Sequence, residues 1–102
     1  MDATLARFLD HLRIERRYSE HTLVAYARDL ERFAAATGRP WAEVQGHQVS
    51  AHVASLHGAG LGPRSIQRTL SSLRSLYRYL KRQRLVDHDP TTGIRAPRAR
   101  AK

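Results

Sequence analysis

The punctuation of residues 18–40 constrains the fold of this chain more than any other feature. Leu23, Tyr26, Leu30 and Phe33 recur at spacings of three and four, the period that lines one face of an α-helix. Ser19 stands where an N-cap hydroxyl accepts an orphan backbone N–H, and Glu20 suits the positive end of the helix dipole. Tyr18 and Leu23 occupy the two positions of a hydrophobic staple across that cap. Gly38 supplies a left-handed stop, with Pro40 just beyond it. A helix with sharp ends and one apolar stripe needs other elements to cover the stripe.

The rest of the chain offers three more helices. Asp2 is placed to cap a first helix over Ala3–Arg17, whose stripe is Leu5, Phe8, Leu9 and Leu12. A shorter third helix is expected over His47–His57 with Val49, Val53 and Leu56 inward. Trp41 and Val44 precede it and should plug the core beneath the connecting loop. Gly58, Gly60 and Gly62 make a turn region, and Pro63 suits the first position of the longest helix, Pro63 to Gln83. At ~1.5 Å per residue that helix spans about 30 Å. Ile66, Leu70, Leu73, Tyr77 and Leu80 share its inner face. No strand pattern competes, so the expected class is all-α. Asp89–Pro90 and Thr92–Gly93 mark an irregular exit, and residues 95–102 read as an extended basic linker after a domain covering 1–94.

Several function classes fail on residue chemistry. With 102 residues the chain has room for one modest core, and with no cysteine it has neither disulfides nor thiolate metal sites. A reducing, cytoplasmic compartment fits that composition. Apolar runs are too short for a membrane span or a signal-peptide core. His47, His52 and His57 are five apart, so successive rings diverge on a helix, whereas a two-His zinc face needs a spacing of four; no metal is expected. There is no nucleophile elbow, and the glycines at 58, 60 and 62 do not follow a strand, so neither catalysis nor a cofactor is expected.

Charge points elsewhere. The chain carries 18 basic and 9 acidic residues, and only Lys81 and Lys102 are lysines. Residues 1–62 are electrically balanced; the whole excess of +9 falls in 63–102, where Asp87 and Asp89 are the only acids. Arginine presents a planar donor fork suited to phosphates and guanine edges. Arg64, Gln67, Arg68, Ser71, Arg74, Ser75, Arg78 and Arg82 share the outer half of the fourth helix, and not one Asp or Glu occurs from Pro63 to Leu85. A merely solvated helix face mixes signs to gain i,i+4 pairs. This one reads as a double-stranded DNA contact surface, with Arg68 and Arg74 at base edges and Arg64, Arg78 and Arg82 on phosphates. Thr22 and Arg28, near the start of the second helix, are secondary candidates.

The residues also resemble a family. Ser19, Thr22, Tyr26, Asp29-Leu30 and Phe33 are similar to the S-x-x-T-x-x-x-Y-x-x-D-L-x-x-F signature that opens the core-binding domain of tyrosine recombinases. Leu70-Ser-Ser-Leu-Arg-Ser-Leu-Tyr-Arg-Tyr-Leu80 resembles that domain's last major helix. Asp89-Pro90, Gly93-Ile94 and Ala96-Pro97 resemble its exit toward the catalytic domain. Within the family the likeness is to the bacterial Xer recombinases. It implies a four-helix SAM-like orthogonal bundle whose second and fourth helices approach the major groove of a DNA half-site. It also implies a XerD-like partner recombinase on the same site, a role in chromosome dimer resolution, and catalysis without metal or nucleotide by a tyrosine of a domain following residue 102. No catalytic residue carries over to this chain. The rival readings are a phage or transposon integrase of the same fold, a SAM-like interaction module with an acidic protein partner, and a membrane-surface domain. The last lacks a spare apolar border to its basic face, so no membrane or small-molecule partner is expected.

Overall fold

The computed structural model describes residues 2–97, and among them finds helices and no strand. The order is α1 (Ala3–Ile14), α2 (Glu20–Thr37), a 3-10 turn (Trp41–Glu43), α3 (Gly46–Gly58) and α4 (Pro63–Arg82). The caps explain the boundaries. Asp2 accepts the Leu5 N–H at 2.6 Å, and Ser19 accepts that of Thr22 at 3.2 Å. Gly38 closes α2 in the left-handed region (φ 62). Gly60 (φ 88) closes α3 while the Leu61 N–H returns to the Leu56 carbonyl at 3.1 Å. The third helix begins one residue earlier than its sequence pattern indicates, because Gln48 Oε1 accepts the Gln45 N–H at 2.6 Å.

The first helix is shorter than the expected Ala3–Arg17. It stops at Ile14, Arg17 turns left-handed (φ 53), and the Tyr18 N–H reaches back to the Leu12 carbonyl at 3.0 Å. No glycine marks that stop. The turn brings Tyr18 into edge contact with Tyr26 (ring centroids 5.9 Å) and so sets the entry to α2.

α2 packs against α1, α3 and α4, and α4 also packs against α3. Every stripe residue expected from the sequence is buried, and α4 buries more than its stripe. Thr69, Ser72, Leu76 and Tyr79 are buried as well. The two hydroxyls tolerate this because they bond to their own helix, Thr69 to the Ser65 carbonyl (3.0 Å) and Ser72 to that of Thr69 (2.7 Å). Val44 is fully buried, as expected, whereas Trp41 is half-buried and acts as a tie. Its indole N–H donates to Asp2 (3.0 Å), its carbonyl accepts from the Tyr77 hydroxyl (2.8 Å), and its ring stacks on Phe33. Ile94 and Ala96 pack against the core, so part of the expected linker lies on the domain; residues 98–102 of that linker fall outside the described residues.

Two histidines make stability depend on pH in opposite directions. His52 is only 7 % exposed and edge-on to Phe33, and among the described residues Nε2 has no partner. Burial, reinforced by Arg32, pushes its pKa below the usual 6.5. The unfolded chain then binds more protons as pH falls below about 6.5, and stability declines on that side. His88 faces two acceptors, the Asp87 carboxylate (2.8 Å) and the Val44 carbonyl (2.7 Å), so both bonds require the imidazolium. Those bonds, that to Asp87 foremost, raise its pKa. Its contribution is whole below about 6.5 and is lost as pH rises through the raised value. Urea unfolding from pH 5 to 8.5 tests both: His52→Leu should flatten the acid limb and His88→Gln the alkaline one. A limb unchanged by its variant would reject that assignment.

Candidate nucleic-acid interface

The outer surface of α4 follows from its register. At about 100° per residue, the eight polar positions from Arg64 to Arg82 fall within an arc of roughly 120°, and the buried residues cover an arc of roughly 180° opposite. Arg74 and Arg68 form the two margins of this strip. Gln67, Arg78, Ser71, Arg64, Arg82 and Ser75 lie between them. All are exposed except Ser75, which is half-buried. No acid interrupts the strip, so its positive field is opposed by no carboxylate of its own helix.

The margins are fixed by contacts that the sequence pattern does not display. Arg68 reaches across to α2, where Nε and Nη2 donate to the two carboxylate oxygens of Asp29 at 2.7 and 3.0 Å. Asp29 is 0 % exposed and the Arg68 side chain 42 %. The carboxylate's hydrogen bonds hold the guanidinium's pKa above its ordinary value. Among the described residues no bond uses Nη1, which leaves that end of the fork available. At the other margin Arg74 Nη2 donates to the Ile94 carbonyl at 2.7 Å and fastens the exit segment to α4. Both arginines expected at base edges therefore already hold a partner within the chain. Arg82 leans toward α1, with Nη2 3.3 Å from His11 Nε2. Arg64, Gln67 and Arg78 stand exposed as expected.

On α2, Thr22 is half-buried and its hydroxyl lies 3.0 Å from that of Ser19, so it belongs first to the cap. Arg28 is exposed, and it lines a shallow depression between α2 and α4 together with Arg68, Val24 and Ala25. The structure thus joins Arg28 and Arg68 across two helices. The Asp29–Arg68 pair escaped the charge reading, which treated α4 alone. A signal for it exists: Asp29 sits between Tyr26, Leu30 and Phe33 on the buried side of α2, where a carboxylate needs a cation.

The four tyrosines are poorly placed for nucleophilic work. Tyr26, Tyr77 and Tyr79 are buried and Tyr18 half-buried. Burial raises the phenol pKa of Tyr26 and, further, that of Tyr77.

Among the described residues the chain is a helical bundle with an arginine-lined outer helix, and its sequence matches one family of such domains. Residues 5–84 match the phage integrase N-terminal SAM-like domain, and the chain belongs to that family. Its similarity runs to the tyrosine recombinase XerC. It is 45 % identical to that of Pseudomonas putida, 42 % to that of Azotobacter vinelandii and 39 % to that of Stutzerimonas stutzeri. In each case 96 % of this chain is covered but only 34 % of the relative, so the chain spans about a third of the proteins it matches. Among the described residues no helix is long and apolar enough to cross a membrane.

Proposed function

We propose that this chain is the duplex-DNA-binding domain of a Xer-type tyrosine recombinase, with residues 1–94 as the domain and 95–102 as the linker onward. The observation that carries the reading is the acid-free arginine strip of α4, flanked by Arg28 of α2 across a shared depression. A helix of this width fits the major groove, and arginine suits both its phosphates and its guanine edges. Thr22, Arg64, Gln67, Ser71, Ser75, Arg78 and Arg82 complete the contact surface, and Arg74 steadies the exit segment beside it. The burial of Tyr26, Tyr77 and Tyr79 supports binding without catalysis, with strand cleavage left to residues outside 1–102. On DNA the partner is a second, XerD-like recombinase on the neighbouring half-site, and the setting is the bacterial cytoplasm.

Fluorescence-anisotropy titration of a candidate Xer duplex and a scrambled one, at several salt concentrations, tests the binding. If about five phosphates are neutralised, log K falls against log[salt] with a slope of roughly −4.5. No binding to either duplex at low salt would reject the function and bring forward an acidic protein partner.

A further inference from the structure

The depression between α2 and α4 contains an exposed aliphatic side chain. Val24 is 56 % exposed. With Glu20, His21, Ala25, Arg28 and Arg68 it lines a cavity of about 430 Å³. Glu20 is neutralised by Arg13, whose Nε lies 2.7 Å from its carboxylate. Apolar Val24 and Ala25 thus share the cavity with the exposed guanidinium of Arg28 and with Arg68, whose charge is balanced by Asp29.

Arg68 brings a second property to the same cavity. Its Nε–Nη2 edge is pinned by a fully buried carboxylate, so the guanidinium plane is set before anything binds. A long side chain normally loses rotamer freedom on engaging a partner; here much of that cost falls in folding instead. What remains is the Nη1 end of the fork, one of whose protons points the same way as the outer Nη2 proton. Two parallel donors match the O6 and N7 acceptors of guanine. The one apolar group on the major-groove edge of a base pair is the thymine C5-methyl.

We propose that this cavity reads a guanine beside a thymine, with Arg68 on guanine O6 and N7 and Val24 and Ala25 against the thymine methyl. Because the two elements line one cavity, the bases they read are on neighbouring pairs. Asp29 is the positioning residue for Arg68, and Arg28 holds the adjoining phosphate. The inference rests on the DNA-binding reading above and adds to it which residues distinguish sequence.

The test alters the DNA one atom group at a time and leaves Arg68 in place, since its removal would unseat Asp29. Duplexes bound by this chain are selected from a random-sequence pool at low salt. The selected sequence is then scanned with deoxyuridine for thymidine, which removes only the methyl, and with 7-deazaguanine for guanine, which removes only N7. One deoxyuridine is expected to weaken binding about fourfold, the worth of one buried methyl. A 7-deazaguanine on the neighbouring pair is expected to weaken it about tenfold. Val24→Ala, an exposed change with no cost to the core, should show the deoxyuridine deficit on the unmodified duplex and respond no further to the substitution. Salt-dependent binding with no selected sequence, no sensitive thymine, or a sensitivity that persists in Val24→Ala would overturn the inference and leave DNA binding standing. Failure to bind any duplex would overturn both.

Discussion

Arg68→Ala is expected to lower the free energy of unfolding by about 3 kcal/mol, a large share of the roughly 5–15 kcal/mol that holds a domain together. The magnitude depends on which side of the pair is buried. A pair exposed at both ends is worth about 1 kcal/mol or less, and a fully buried one costs about 3–5 when one partner is removed. Asp29 is 0 % exposed and Arg68 42 %, so loss of Arg68 strands a carboxylate in the core while the departing guanidinium was half solvated. That places the effect at the lower end of the buried range. Removing both charges together, as Asp29→Leu with Arg68→Met, should restore most of the loss, because the penalty belongs to the unpaired charge rather than to the missing bond. Urea denaturation followed by circular dichroism measures all three proteins. An Arg68→Ala loss below about 1 kcal/mol would show the pair to be solvated.

The second large effect concerns binding. Replacing Arg64, Arg78 and Arg82 together by alanine should weaken binding to any duplex several hundredfold at about 0.1 M salt and make the salt slope shallower by roughly three. Each phosphate contact contributes close to one unit of slope, so near 0.1 M each is worth about eightfold. All three side chains are exposed, so the folded domain should lose little stability. The loss should be the same for cognate and scrambled duplexes, since phosphates carry no sequence. A cognate-only loss, with an unchanged slope, would move these arginines from phosphates to bases.

The two experiments separate the roles that one run of arginines can conceal. Along the sequence, Arg64, Arg68, Arg74, Arg78 and Arg82 look alike: each lies on the polar arc of an acid-free helix. In the folded chain they divide. Arg68 crosses to α2, Arg74 fastens Ile94, Arg82 turns to His11, and Arg64 and Arg78 form no side-chain bond among the described residues. Periodicity assigns a residue to a face but says nothing about what lies opposite the edge of that face.

The fold was legible wherever a local rule operates. Ser19, Gly38 and Pro63 mark helix ends because a cap, a left-handed stop and a fixed φ act over a few residues. The four apolar stripes and the burial of Val44 follow from the 3.6-residue period and from the loop each must close. The early end of α1 was not legible, since it depends on a turn without glycine, at Arg17, that seats Tyr18 against Tyr26. The place of Val24 is not legible either: on α2 its period puts it outside the stripe, and only the position of α4 shows that it lies beside Arg68.

What the sequence by itself determined is the helical class, the segment limits to within a few residues, and the concentration of positive charge on one helix. These arise from interactions between residues near one another in the chain. The tertiary structure alone decided the pairing of Asp29 with Arg68 over 39 residues, the half-buried tie at Trp41, and the cavity that combines Val24, Arg28 and Arg68. The reason is physical: a buried carboxylate must meet a cation wherever the packing of two helices brings one, and that meeting is fixed by how their ridges seat together, not by spacing along either helix.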